Sequence, residues 1–381
     1  MNTPSSTLCS QGDPCSSTGT YVANSSSTYS YIASDFSISY EDGSSASGDY
    51  VSDTFTIGGT TLAELQFGIG YTSTLSRGIL GIGYQITEVQ VGRAGKSPYN
   101  NLPAQLVADG KIQSNAYSLW LNDLAASTGN VLFGGVDTSQ YQGSLETLPV
   151  QTVSGEYAEL LITLTGITLG STVIASSQAL AVLLDSGSSL TYLPDSMAVA
   201  IYEEVGAVYE SSEGAAYVDC SLADNTTTLD FTFSSPTISV AMSELVVRIS
   251  TGSGSPKFPD GVATCVFGIA PAGSGPLVLG DTFIRSAYIV YDLSNNEISI
   301  AQTDFNATTS NIVEIGTGTN AVPDATAVAN SVAATGGSQG SDGSGSVNLG
   351  SSTSTAGAER TAAPVFGAMA AVGAGVLYAA M

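Results

Sequence analysis

The sequence predicts a mainly β protein with few short helices and a disordered C-terminal tail. Short apolar runs rich in Val, Ile and Tyr alternate with turn-forming residues over residues 1–303, which is typical of short strands joined by tight turns. Glycine is abundant, at 43 of 381 residues, which suits such turns. Beyond about Asn306 large apolar side chains become rare, so a packed core is not expected there.

Several strands can be placed individually. Residues 55–59 and 131–135 are short apolar runs that end in paired glycines. Residues 287–292 and 297–301 are two further runs, separated by Leu-Ser-Asn-Asn at 293–296. This spacing predicts a β-hairpin.

Two helices are predicted. The first covers residues 102–108, with Pro103 in its first turn and Gly110 just past its end, the usual placement of these residue types. The second covers residues 195–210, with Asp195 as its N-cap. Its apolar stripe is formed by Ala198, Ile201, Val205 and Val208.

The charge balance excludes several classes of function. The chain has 33 acidic residues, 8 basic residues and no histidine, for a formal net charge of −25. Nucleic-acid binding is not expected, because phosphates need a basic surface. A catalytic histidine and an imidazole-ligated metal are excluded, and no cofactor is predicted. The negative charge suits an acidic medium, where carboxylates protonate, although it could equally serve solubility.

Four cysteines and three N-x-S/T sequons together favour a secreted protein. The number of cysteines is even, and none forms the C-x-x-C pattern of a zinc site. Each sequon alone is a weak signal at this Ser and Thr content. The cysteines are Cys9, Cys15, Cys220 and Cys265, and the candidate glycosylation sites are Asn24, Asn225 and Asn306.

The C-terminal end resembles a membrane-attachment signal. Residues 315–357 are mostly Gly, Ser, Thr, Ala and Asn, which predicts a flexible stalk. Residues 362–381 are apolar and no basic tail follows, unlike a stop-transfer helix. Small residues, a polar spacer and an apolar end match a glycosylphosphatidylinositol (GPI) signal. Gly350 is the predicted attachment residue, with Ser351 and Ala356 as alternatives. A transmembrane anchor is the competing interpretation.

The N-terminus does not fit this route. Residues 1–20 are polar and carry no signal peptide, yet a GPI signal acts only on a chain that has entered the secretory route. Either the tail is not such a signal or the true start of the protein lies upstream of Met1.

The sharpest motif is Leu-Leu-Asp-Ser-Gly-Ser-Ser-Leu-Thr-Tyr-Leu-Pro at residues 183–194. An apolar strand is expected to end at Asp185, and a Ser-Gly-Ser turn follows it. Asp-Ser-Gly alone is simply a favourable turn sequence. A carboxylate at the end of a buried strand is costly, however, unless it is hydrogen-bonded or functional. The apolar flanks therefore favour a functional Asp185.

Five segments, in order, resemble the pepsin-like aspartic proteases. They are the flap with its tyrosine, the apolar-apolar-Gly segment of the first lobe, the end of that lobe, the second catalytic motif and the second apolar-apolar-Gly segment. These segments lie at 38–44, 77–84, 133–137, 183–194 and 277–285. The resemblance covers about residues 1–303, and it is greatest to fungal yapsin- and candidapepsin-like enzymes, which the GPI-like tail supports.

The resemblance implies a bilobal pepsin-like acid protease fold. Its expected parts are an incomplete N-terminal lobe, a C-terminal lobe with Asp185, a Ser/Thr/Gly-rich stalk and a GPI-anchor signal. Their predicted bounds are 1–153, 154–304, 305–350 and 351–381.

The resemblance also implies a mechanism with two aspartates that share one proton, because like charges so close cannot both ionise. One carboxylate activates a water as general base, and the protonated one polarises the substrate carbonyl. Asp185 is one of the two by resemblance. Gly187 would allow close approach of the turn. Ser186 would bond across the lobe interface, and Ser188 near Asp185 or the substrate.

Two further implications concern the flap and the disulfides. Tyr40 would lie on a hairpin that closes over the peptide, with Asp42 and Gly43 at its turn; an ordinary strand aromatic is the competing interpretation. The resemblance pairs the cysteines as Cys9–Cys15 and Cys220–Cys265, one bridge per lobe, although four cysteines allow two other pairings.

The other catalytic aspartate is not found in the sequence. Asp185 and Gly280 are 95 residues apart, and a residue 95 positions before Gly81 would have the number −14. The first motif is therefore expected upstream of Met1, so the chain as given should be inactive. A truncated N-terminus is the simplest account. The alternatives are a true pseudoprotease, or self-association that supplies two copies of Asp185.

The sequence thus predicts a monomeric acid endopeptidase of the fungal cell surface. It would act on polypeptides and be attached by a GPI anchor to the plasma membrane or cell wall. A non-catalytic module that binds peptides or inhibitors on the same fold is the main alternative. A purely structural wall protein would explain the stalk but not the five motifs.

Overall fold

A computed structural model describes most of the chain, and it is mainly β, as predicted. It divides into two compact units, Met1–Ala116 and Tyr117–Met381. No helix among these described residues is long and apolar enough to cross a membrane. The described residues are 2–4, 19–40, 43–75, 77–249, 256–335 and 346–347.

The first unit is built on one four-stranded sheet. Its strands are β1 (Asn2–Pro4), β2 (Ser30–Ser39), β3 (Ser45–Ile57) and β4 (Thr60–Ser73). Their order is β1-β4-β3-β2, with β1 parallel to β4 and the other neighbours antiparallel. Two α-helices follow, α1 (Val89–Ala94) and α2 (Leu102–Ala108), and short 3₁₀ helices lie at Ala23–Ser25 and Gln85–Thr87.

Helix α2 has the predicted bounds, with proline in its first turn. Leu102 and Leu106 are buried, so one face of this helix packs inward. Gly110, just past its end, has φ +65°, a left-handed conformation that glycine adopts without strain.

Aromatic and β-branched side chains fill the interior of the first unit. Phe36 and Tyr50 pack edge to face with ring centroids 5.2 Å apart. A neighbouring cluster is formed by Val51, Phe67 and Ile69. These residues come from β2, β3 and β4, so the β2–β3 hairpin is fixed by its own buried face.

The remaining strands begin at Ala116. They are β5 (Ala116–Trp120), β6 (Asn130–Phe133), β7 (Gly135–Asp137), β8 (Tyr141–Pro149), β9 (Leu161–Leu164), β10 (Gly166–Leu169), β11 (Thr172–Ser176), β12 (Leu180–Leu184), β13 (Thr191–Leu193), β14 (Val208–Glu210), β15 (Ala215–Asp219), β16 (Thr228–Thr232), β17 (Thr237–Ala241), β18 (Val246–Arg248), β19 (Thr264–Phe267), β20 (Ile269–Pro271), β21 (Val278–Leu279), β22 (Ala287–Asp292), β23 (Glu297–Thr303), β24 (Ile312–Glu314), β25 (Ala325–Ala327) and β26 (Ser346–Val347). The α-helices are α3 (Asp195–Val205), α4 (Met242–Leu245) and α5 (Asp281–Ile284), with a 3₁₀ helix at Cys220–Asp224.

These strands form several sheets. Two have five strands, in the orders β17-β16-β10-β11-β26 and β20-β13-β21-β12-β9. A four-stranded sheet has the order β14-β15-β19-β18, a six-stranded sheet has the order β25-β8-β23-β22-β5-β6, and β24 pairs with β7. The predicted hairpin of residues 287–301 is confirmed, because β22 and β23 pair antiparallel.

The helix predicted over residues 195–210 is shorter than expected. It ends at Gly206, which has φ +67° and turns the chain away. Val208 therefore lies in a strand and not on the helical stripe. Pro194 is the N-cap, and Asp195 lies in the first helical turn, because the fixed φ of proline already sets the entry into the helix.

One disulfide joins the 3₁₀ helix Cys220–Asp224 to β19. It links Cys220 and Cys265, whose Cα atoms are 5.0 Å apart, as predicted for the second lobe. The other predicted bridge, Cys9–Cys15, lies outside the described residues.

The lobe boundary expected at 153/154 stays a prediction, and the first compact unit ends earlier, at Ala116. The segment from residue 117 to residue 149 belongs to the second unit because its strands complete the six-stranded sheet. β8 pairs antiparallel with β23, and β5 lies beside β22. Sheet pairing, which is long-range in sequence, decides where the first unit ends.

Residues 305–335, here called the strap, pack on the second unit, although the sequence assigned them to the stalk. β24 pairs antiparallel with β7, and β25 runs parallel to β8. Ile315 is completely buried, and Ala321 and Val322 are 8% and 5% exposed. The strap ends where the Thr335 N–H donates to the Ala179 carbonyl at 3.0 Å. A few spaced apolar side chains are enough to hold the strap in place, because its backbone also forms hydrogen bonds with β7 and β8.

Candidate active site

Asp185 stands at the end of a buried strand. β12 lies between β9, to which it is antiparallel, and β21, to which it is parallel. The parallel register places Leu184 opposite Leu279, and the Asp185 N–H donates to the Leu279 carbonyl at 3.2 Å. The sheet thus fixes the point at which the chain leaves the strand and enters the turn.

Both carboxylate oxygens of Asp185 accept hydrogen bonds from the following turn. The Gly187 N–H donates to Oδ1 at 2.8 Å, and the Ser188 hydroxyl donates to Oδ2 at 2.9 Å. A Cβ on Gly187 would lie 3.0 Å from Oδ1, so the close turn favours glycine. Asp185 is half-buried, and Ser186 and Gly187 are exposed. An oriented, accessible carboxylate of this kind can exchange protons with a bound water.

Gly280 allows the turn to fold back against the next segment. A Cβ at this position would lie 2.3 Å from the carbonyl oxygens of Ser188 and Leu190, a distance that the backbone cannot tolerate. The Asp281 N–H donates to the Ser188 carbonyl at 2.8 Å. The apolar-apolar-Gly segment of β21 therefore supports the turn of Asp185 directly.

Asp281 is a partly buried carboxyl at the start of α5, beside the turn of Asp185. Its Oδ1 is buried and has no hydrogen-bond partner among the residues that the structure describes. Burial raises the pKa of Asp281 to about 7; the positive charge of Arg285 opposes this rise and the negative charge of Asp185 adds to it. Asp281 is therefore largely protonated at acid pH.

The guanidinium of Arg285 is engaged by another carboxylate. Its Nε donates to Glu244 Oε2 at 2.7 Å, and its Nη2 donates to the Glu244 carbonyl at 2.6 Å. Both side chains are buried. The Glu244 carboxylate also accepts the Leu124 N–H. Removing either partner would leave an uncompensated buried charge.

Tyr40 lies at the tip of the β2–β3 hairpin in the first unit. Its N–H donates to the Ser44 carbonyl at 2.9 Å, and the Gly43 N–H donates to the Tyr40 carbonyl at 3.0 Å. Gly43 has φ +80°, which explains the glycine. The hairpin that the flap requires is therefore present. The role of Tyr40 over a substrate stays a prediction, and Asp42 lies outside the described residues.

The three sequon asparagines are exposed, as a glycan would require. Asn24 lies in a 3₁₀ helix, Asn225 follows another, and Asn306 follows the end of β23. Their glycosylation stays a prediction. Gly350, the predicted attachment residue, lies outside the described residues.

Sequence reasoning assigned no role to Asp281, Arg285 or Glu244. Asp281 and Arg285 lie in the second apolar-apolar-Gly segment, residues 277–285, where two charges interrupt a mostly apolar run. That interruption is a usable signal, because buried charges need a partner or a function. Glu244 carried no such signal, since only the fold brings it to Arg285.

Comparisons with known proteins agree with the fold and the motifs. The eukaryotic aspartyl protease family matches residues 3–303. "Probable aspartic-type endopeptidase opsB" of Aspergillus oryzae is 57% identical over 338 residues, which cover 87% of this chain and 69% of that protein. "Secreted aspartic protease 8" of Candida albicans is 37% identical over 297 residues, which cover 78% of this chain and 66% of that protein.

A solved structure shows the same fold. The crystal structure of the aspartic proteinase from Irpex lacteus superimposes with a TM-score of 0.63 at 23% identity, covering 78% of this chain and 88% of that chain. With the family match and these relatives, the hydrogen-bonded Asp-Ser-Gly turn at Asp185 has its explanation: this chain belongs to the eukaryotic aspartyl protease family.

Proposed function

We propose that Asp185 is one of two aspartates with which this protein hydrolyses peptide bonds at acid pH. The observation that carries the proposal is the turn geometry, in which Gly187 and Ser188 hold both oxygens of an accessible carboxylate. In this scheme one carboxylate takes a proton from water as the water oxygen adds to the peptide carbonyl. The other aspartate gives its proton to the carbonyl oxygen, and the tetrahedral product collapses as the amide nitrogen is protonated.

The neighbouring residues have distinct roles in this proposal. Ser188 orients Asp185, and Gly187 lets the turn close without a side chain. Ser186, exposed beside them, would bond to the matching turn of the first lobe. Tyr40 and Gly43, with Asp42, form the flap that covers a polypeptide substrate. No cofactor or metal takes part.

The second aspartate is proposed to lie in a D-[ST]-G motif that precedes residue 1 in the complete protein. In the second unit, β13 follows Asp185 and pairs in parallel with residues 269–271. In the first unit, β1 pairs in parallel with residues 68–70. If the two lobes repeat one plan, the motif comes just before β1, as Asp185 comes six positions before Thr191.

A chain extended by the upstream coding sequence tests this proposal. We expect the 381-residue chain to leave a denatured protein substrate uncleaved at pH 4, and the extended chain to cleave it. Activity of the 381-residue chain itself would contradict the proposal. So would an extended chain that has an upstream D-[ST]-G motif and folds correctly but is inactive.

A pseudoprotease is the second candidate. The observation that favours it is that Asp185 begins the only D-[ST]-G in the 381 residues. Such a protein would bind peptides or inhibitors without cleaving them. An upstream sequence without a D-[ST]-G motif would support this alternative, and calorimetric titration with an uncleaved peptide would then measure the binding.

The proposed location of the protein rests on its sequons, its disulfide and its C-terminal sequence. We propose a secreted, glycosylated monomer of the yapsin type, attached by a GPI anchor to the plasma membrane or cell wall. The exposed sequon asparagines and the Cys220–Cys265 bridge support secretion, because disulfides persist in oxidising compartments. Release of the native protein by phosphatidylinositol-specific phospholipase C would test the anchor, and a transmembrane protein would resist it.

A further inference from the structure

The turn at Asp185 and helix α5 are held together by backbone hydrogen bonds. The Asp281 N–H donates to the Ser188 carbonyl at 2.8 Å, and the Thr282 N–H donates to the Ser189 carbonyl at 3.3 Å. Gly280 lies so close to the turn that no side chain fits between them. A movement of the start of α5 would therefore displace the turn directly.

The carboxyl of Asp281 sits at this junction without a compensating partner. Its Oδ1 is buried and lacks a hydrogen bond within the described part of the chain. Three titratable or charged groups act on it: Asp185 in the turn, Arg285 on α5 and Tyr291 on β22. Glu244 on α4 is the partner of Arg285. Only Arg285 is positive, and Glu244 already pairs with it. An ionised Asp281 would therefore be a poorly compensated buried charge.

We propose that Asp281 is a pH-sensitive latch, whose neutral form supports the turn of Asp185 and whose ionisation loosens that turn. At acid pH the neutral carboxyl places no unpaired charge at this junction, and α5 holds the turn. As the pH rises, the charge favours states in which α5 separates from the turn and water reaches the carboxylate. The importance of the turn rests on the proposed function, but the latch itself requires no catalysis.

The pH range follows from linkage. Burial raises the pKa of Asp281 from its ordinary 3.8 to about 7 in the folded chain. The folded state then binds the proton more tightly than the opened state does, so stability falls as pH rises between these values and is level above them. Within that range the equilibrium constant for closing falls by about tenfold per pH unit.

Hydrogen exchange of the 381-residue chain, read by mass spectrometry between pH 4 and 7.5, tests the latch. The chains compared are the wild type, Asp281→Asn and, as a matched exposed control, Asp224→Asn. Comparison at equal pH cancels the intrinsic exchange rate. We expect protection of the turn, in Asp281→Asn relative to wild type, to increase by about tenfold per pH unit from pH 4 to 7. The Asp224→Asn chain should follow the wild type.

A relative protection that does not change with pH would overturn the latch. If Asp281→Asn fails to fold, Asp281→Ser, which also lacks the charge, replaces it in the same comparison. No substrate is involved, so the two proposals fail separately. If the 381-residue chain shows the pH-dependent difference but the correctly folded extended chain, with its D-[ST]-G motif, cleaves no peptide, the proposed function is refuted and the latch is retained.

Discussion

Asp53, which is buried, and Asp281, which is partly buried, have opposite electrostatic environments. Burial alone would raise the pKa of Asp53, but donors from Thr28, Tyr21, Ser26 and the Thr54 N–H outweigh it and lower that pKa to about 2. Asp281 lacks such donors, and its pKa rises. The number of donors that reach the carboxylate decides the direction.

Asp53 should stabilise the first unit above about pH 4. Its lowered pKa contributes stability that is present above pH 4 and is lost as pH falls towards 2. We expect Asp53→Asn to reduce the free energy of unfolding at pH 5 by about 1–3 kcal/mol, because buried donors lose their acceptor. The deficit should shrink between pH 4 and pH 2 in urea titrations.

The exposed Asp109→Asn is the matched control in the same unit, and it should unfold like the wild type at each pH. A deficit for Asp53→Asn that is the same at pH 5 and pH 2 would show that the charge of Asp53 contributes nothing.

At the scale of elements, the strap is the least expected part of the fold. It covers the outer edge of the six-stranded sheet, where β25 runs along β8. Its Val328 N–H donates to the Thr147 carbonyl at 3.0 Å, and its Ala334 N–H donates to Gln151 Oε1 at 2.9 Å. The family match ends at residue 303, so the strap lies beyond the region that the family match covers.

Removing the strap should destabilise the second unit. A chain that ends at Asp304 loses the buried Ile315, Ala321 and Val322. We expect a loss of about 2–4 kcal/mol in the free energy of unfolding, after the entropy of ordering the strap is subtracted. Urea denaturation would measure it.

A chain that ends at Thr335 is the control, and it should stay within about 1 kcal/mol of the full chain because it keeps the strap. Equal stability of the two truncated chains would mean that the strap lies on the unit without stabilising it.

The sequence predicted local elements well and long-range ones poorly. The bounds of α2, the hairpin at 287–301 and the turn at Asp185 depend on residues close in sequence, and the structure has all three. The end of α3 was missed because Gly206 outweighed an apolar stripe that continued past it. The strap depends on distant sheet edges, which composition cannot report.

In the candidate site too, local features were predicted and long-range ones were not. The Asp-Ser-Gly motif and its apolar flanks predicted a functional Asp185 at the end of a strand, followed by a turn. The setting of Asp281 could not be predicted, because only the fold brings Glu244 to Arg285 and so leaves Asp281 without a full counter-charge.

For the whole molecule, the net charge of −25 is a second source of pH dependence beside Asp281. Self-repulsion among 33 acidic side chains weakens as they protonate, and Asp281 becomes neutral over the upper part of the same range. A chain with eight basic residues has few cations to balance them. The self-repulsion of the whole chain and the ionised fraction of Asp281 therefore both decrease as the pH falls.

Substitution of Asp185 tests the central claim most directly. In the chain extended by its upstream sequence, Asp185→Asn keeps the size of the side chain and removes the carboxylate. We predict a fall in kcat/KM on denatured protein at pH 4 of at least about 10³-fold, because neither aspartate can replace the other. The stability in urea should change little, and Asp224→Asn should remain active. An Asp185→Asn chain that keeps wild-type kcat/KM would contradict the assignment of Asp185 as a catalytic residue.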